Sequence, residues 1–157
     1  MQLLAGLFCA TVFLGLAAAQ TSKPGLSPCA LLTKVEAQVA VGAPVSEGAI
    51  NADNKSVCDF KVGDAGSGIG IMLISKGPAD TAEKMVAELK AHKVSAEVTT
   101  GFGDSAYASS PGYGMQQLAV YKGSHHVIVT VLMLGAPDAK SKTVAQAVMR
   151  KVLARLP

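Results

Sequence analysis

Ser105 follows Gly103-Asp104 in the run GFGDSAYASSPGYG over residues 101–114, and a serine in such a turn becomes a nucleophile once a neighbouring base takes its proton. The candidate bases are His125 and His126. No Asp-x-x-His follows late in the chain to complete a hydrolytic set, so the motif is read as a structural turn, with a Ser105–His pair as the alternative. The histidines also raise the question of a metal or haem. Adjacent residues on a strand point to opposite faces, so a regular strand cannot aim both at one ion. Without a His-x-x-x-His or a Cys-x-x-Cys, and with His92 at an expected helix end, the three or four convergent ligands of a zinc site cannot be assembled. Met72, Met85, Met115, Met133 and Met149 fall on apolar stripes, which suits a core better than copper. No cofactor is expected.

Residues 63–70, GDAGSGIG, are glycine-rich like a phosphate loop but lack the Lys-Ser/Thr of the Walker pattern and any helix to follow. They read as a hairpin turn. Phe102, Tyr107 and Tyr113 gather in the 101–114 run among Gly and Ser, a composition suited to recognition because Tyr offers contact area at low entropic cost. They form the candidate binding surface. The competing reading docks Phe102, Ala106 and Tyr107 into the core.

The compartment follows from the first residues. From Met1 to Gln20 there is no charge, residues 3–19 are almost continuously apolar, and Ala17-Ala18-Ala19 offers a signal-peptidase site. The expected division is a signal peptide over residues 1–19 and a single domain over residues 20–157, periplasmic or secreted. A retained membrane anchor is the alternative, because the leader carries no Lys or Arg and its run is near the lower limit for a span. Neither Cys9, after Phe8, nor Cys29, after Pro28, suits lipidation. Cleavage removes Cys9, and the even pair left in an oxidising compartment supports a Cys29–Cys58 disulfide. Lys and Arg number 14 against 11 Asp and Glu. So mild an excess, without interleaved aromatics, argues against nucleic acid. The basic positions of the last helix, Lys140, Lys142, Arg150, Lys151 and Arg155, read as a solvated face rather than a membrane surface.

Three helices and about five strands are expected to position these residues. Ser27-Pro28 can open a helical turn. Thr33 and Glu36 have capping-box spacing, and Val35, Val39 and Ala40 are expected to form the buried face of a helix that stops at Gly42. Residues 43–55 read as loop, and Val57–Val62 alternates as a half-buried strand. A strand over 69–75, a helix from about Ala82 with Met85, Val86 and Leu89 on one stripe, and strands over 94–100, 115–122 and 125–134 follow. Val144, Val148, Val152 and Leu156 then recur every fourth residue on the last helix, joined by Ala145, Met149 and Leu153. The order α-β-β-α-β-β-β-α, with hairpin links, predicts an antiparallel sheet packed by helices, an α+β fold.

The segments PCALLTKVEAQVAVGAPV, CDF, GFGDSAY and LAVYKG, with a closing helix that ends VLARL, resemble small bacterial exported domains of unknown function, many of them lipoproteins. The resemblance implies a helix-flanked antiparallel sheet and the Cys29–Cys58 bridge, and brings no catalytic residue with it. The expected function is a non-enzymatic exported module that binds an envelope protein or a small ligand. A serine hydrolase using Ser105 and a metal or haem carrier are the alternatives. If export is right, mass spectrometry of the native product finds an N-terminus at Gln20; a product that retains residues 1–19 overturns it.

Overall fold

The computed structural model describes residues 25–63 and 66–157; the expected leader lies outside the described residues. A 3-10 turn over Pro28–Leu31 leads into α1 (Lys34–Val41), followed by β1 (Ala49–Ile50), β2 (Val57–Val62) and β3 (Ser67–Ser75). Then come α2 (Ala82–Ala91), β4 (Ser95–Thr99), β5 (Ser105–Gly112), β6 (Met115–Lys122), β7 (His125–Leu132) and α3 (Asp138–Leu153). All strands join one antiparallel sheet in the order β1-β2-β3-β7-β6-β5-β4. The fold is α+β, as expected, but among the described residues the sheet has seven strands.

The two additional strands lie where turn-rich composition suggested loop. β1 is a two-residue edge inside the 43–55 segment, paired with β2. β5 occupies most of the 101–114 run and contains no β-branched residue. Its conformation comes from a ladder on each side, β4 on one and β6 on the other, in keeping with a strand preference set largely by neighbours. Pro111 lies within a register irregularity between Ser109 and Gly112, where its missing N–H costs no regular ladder bond.

On one face of the sheet, Val144, Ala145, Val148, Met149, Val152 and Leu156 of the α3 segment are buried against Leu118, Val120, Val127, Val129 and Val131. The expected four-residue stripe is the seam of this core. α1 packs beside α3, and its capping box is formed. The Thr33 hydroxyl accepts the Glu36 N–H at 3.3 Å, while Glu36 Oε2 accepts the Thr33 N–H at 3.0 Å. Its inner stripe, however, is Ala37 and Val41; Val35 and Val39 are 67% and 79% exposed. Of the expected apolar face, Val35 and Val39 therefore point outward, while Ala40 packs partly against the core. Leu31 and Leu32 enter the core and Cys29 is bonded to Cys58, which fixes the approach of the helix and turns small Ala37 inward.

Three ties close this face. The Cys29–Cys58 disulfide joins the 3-10 turn to β2 with Cα atoms 5.1 Å apart. Arg155 donates to the Leu31 carbonyl at 3.3 Å and pairs with Glu36 at 2.9 Å. Lys122 donates from β6 to the carbonyls of Leu153 and Leu156, at 3.0 and 2.9 Å, so a cation caps the C-terminus of α3.

Among the described residues the other face receives only α2, whose Ala82 and Val86 lie on Ala96, Tyr107, Ala119 and Tyr121, with Met85 and Leu89 at the margin. Its N-cap is Thr81, which accepts the Lys84 N–H.

Replacing both Cys29 and Cys58 by Ser should lower unfolding free energy in urea by ~3–4 kcal/mol, the chain-entropy worth of a loop of this length. Glu36 supplies a pH dependence. The Arg155 guanidinium, opposed by burial and assisted by the Thr33 amide and hydroxyl, holds its carboxyl down at about 2 from 4.5. The tie is fully present above pH about 4.5 and is lost as pH falls through about 2. Discounted for solvent screening, it is worth about 1 kcal/mol, and Glu36→Gln should remove it from acid-unfolding curves.

Candidate functional site

Phe102, Tyr107 and Tyr113 do not meet. Phe102 is buried in the α3-side core with the Arg150 guanidinium 5.2 Å from its ring centre. Tyr107 is buried on the opposite face beneath α2. Tyr113, at φ 57° in the β5–β6 turn, is 94% exposed. Only Tyr107 lies in β5; Phe102 stands in the bend before the strand and Tyr113 in the turn after it, so the three reach different surfaces.

Gly103-Asp104-Ser105 locks a turn. Gly103 has φ 54°, and a Cβ there would collide with Val120 and stand 2.6 Å from the Tyr121 carbonyl oxygen. Asp104 donates its N–H to that oxygen at 2.8 Å and accepts the Gly123 N–H at 2.7 Å, so β5 is pinned to the β6–β7 turn. Ser105 pairs with Tyr121, and Tyr121 with His126, so serine and imidazole lie two strand spacings apart, roughly 9–10 Å. His125 points to the other face. The register thus brings Ser105 to neither histidine. His126 instead stacks on Tyr121 at 4.3 Å, with Tyr107 6.2 Å away. Burial lowers the His126 pKa, opposed by Asp80, and pushes Tyr107 up to about 12, with Tyr121 raised for the same reason. All three rings are neutral near pH 7. Among the described residues no group of three or more His, Cys, Asp or Glu side chains could hold a metal ion.

The site that does form lies on the face α2 leaves open, and single-sequence reasoning missed it. Gly68 and Gly70 put no side chains on this face of β3, while β2 on one side and β7 and β6 on the other raise walls. The result is a hollow of ≈ 440 Å³. Val57, Met72 and Ile128 form one row across it, and Leu132 and Met115 follow Gly68 in another, which Lys61 ends on the β2 side. Between these apolar rows runs a polar one, Asp59–Gly70–Thr130–Gln117–Ser109. Ser109 donates to Gln117 Oε1 at 3.2 Å and Gln117 Nε2 to Thr130 Oγ1 at 3.1 Å. At the other end Asn51 Nδ2 donates to Asp59 Oδ2 at 2.6 Å. Asn51 is itself fixed, since its Oδ1 accepts the N–H groups of Asp53 and Asn54. The visible signal was two glycines at alternate positions of one strand, a pattern that marks close approach of another group. Their partners come from three other strands, which a single sequence does not align.

The buried imidazole gives a test of this face. An unfolded chain protonates His126 near pH 6.5 and the folded chain resists, so stability falls as pH drops through about 6.5. His126→Phe, which keeps a ring on Tyr121, should flatten urea-unfolding free energy between pH 7 and 5 relative to the parent. Comparison with protein-family models, with curated proteins and with solved structures finds no match to this chain.

Proposed function

We propose that this chain is an exported, non-enzymatic binding domain that takes a small, largely apolar ligand into the hollow over Gly68 and Gly70. The hollow carries the reading: its ≈ 440 Å³ falls within the range of small-molecule sites, and it pairs apolar walls with few, positioned polar groups. Half-exposed Met72, Ile128, Leu132 and Met115 around it give a ligand apolar surface to cover. Export is supported by the charge-free leader and by the disulfide, which persists in oxidising compartments. Among the described residues no helix is long and apolar enough to cross a membrane.

Gly70→Val tests the reading. A Cβ on Gly70 meets its neighbours at 3.4 to 3.9 Å, ordinary contact, so a side chain can start there without a clash and its γ-methyls fill the floor. The parent should bind the neutral apolar fluorophore N-phenyl-1-naphthylamine saturably, and the variant at least ~10-fold more weakly with thermal unfolding little changed, ~10-fold being about 1.4 kcal/mol. Equal binding by the two, or no saturable binding by the parent, overturns it.

A further inference from the structure

We infer that the ligand carries a protonated amine, seated over Gly70 between Asp59 and Thr130; this rests on the hollow being a ligand site. The polar row crosses the sheet continuously except at Gly70. From the point a Gly70 Cβ would occupy, Asp59 Oδ1 is 3.4 Å away and the Thr130 Cβ 3.9 Å away, so one atom above Gly70 touches both walls. The carboxylate is aimed from outside the hollow, because Asn51 takes its other oxygen, Oδ2. Thr130 Oγ1 already accepts from Gln117 and keeps a second lone pair for an N–H donor.

Charge selects among donors. A ligand whose apolar body covers Val57, Met72 and Ile128 also removes water from Asp59, and a carboxylate deprived of water is costly unless paired with a cation. Lys61, the other charged residue lining the hollow, is exposed and forms no ion pair with Asp59 among the described residues. An ammonium satisfies the carboxylate with a charge-assisted bond, a hydroxyl does so without charge, and a ligand carboxylate meets like charge. The ligand class favoured over Gly70 is therefore an amphiphile with one primary amine on an apolar body.

The test compares decylammonium, decanol and decanoate, each below its micellar concentration, by displacement of N-phenyl-1-naphthylamine from the full exported product. Decylammonium should bind at least ~10-fold tighter than decanoate, with decanol between them. Asp59→Asn should shrink that advantage to less than ~3-fold, and Thr130→Val should shrink it by a smaller factor. If the three amphiphiles bind within ~3-fold of one another, or decanoate binds best, the amine is ruled out while the apolar site stands. If neither they nor the fluorophore bind, both readings fall. The ranking on the parent protein decides the matter even if a variant fails to fold.

Discussion

A sheet of seven strands is far wider than any one helix laid upon it, and that mismatch governs the molecule. Strands stand ~4.8 Å apart, so this sheet spans about 30 Å, whereas a helix with its side chains covers ~10–12 Å. One face escapes the shortage by recruiting α3, α1 and the 3-10 turn together. Among the described residues the other has α2 alone, which lies over the β4–β6 end and leaves β2, β3 and β7 without a helix on that face. The covered part holds buried Tyr107 and Tyr121, with His126 of β7 stacked at its margin, and the uncovered part holds the polar row and the hollow.

The strongest identifiable ties all belong to the fuller face. The disulfide, the Arg155–Glu36 pair and the Lys122 cap each bind the helical layer to itself or to the sheet. None of them touches the hollow. Side chains around Gly70 can therefore change identity at small cost in folding energy, because they are half-exposed and replacing them opens no core cavity. A robust layer behind a permissive surface is the arrangement that lets a domain alter what it binds without risking its fold.

What the sequence disclosed and what it hid divide along physical lines. Capping at Thr33 and Glu36, the α3 stripe, the β7 run and the cysteine pairing rest on local spacing or simple parity, and the structure bears these out. The inner face of α1 was not legible, since Val35/Val39 and Ala37/Val41 repeat at the same interval and only the anchoring of Leu31, Leu32 and Cys29 chooses between them. β5 was hidden because its strand character is lent by β4 and β6. The aromatics are not brought together because Phe102, Tyr107 and Tyr113 fall before, within and after β5, and nearness in sequence there is not nearness on a surface. The hollow was least legible, being an arrangement of residues from β2, β3, β6 and β7 that exists only once the register is set.

Gly70 is the residue whose identity the fold itself does not explain. Gly68 has a packing reason, because a Cβ there would press on the Phe60 carbonyl oxygen at 3.1 Å. Gly70 has none: a Cβ fits at ordinary contact distances and its φ is not left-handed. Glycine inside a strand forfeits ~0.5–1 kcal/mol relative to alanine through backbone entropy. Nor does solubility call for it, since the same row meets that need with Asp59 on one side and Thr130 on the other, and a further Thr or Ser at position 70 would have continued the pattern. Nothing in the packing of the described residues offsets that cost, and the gap in the polar row, together with the apolar walls, is the observation on which the proposed ligand group rests.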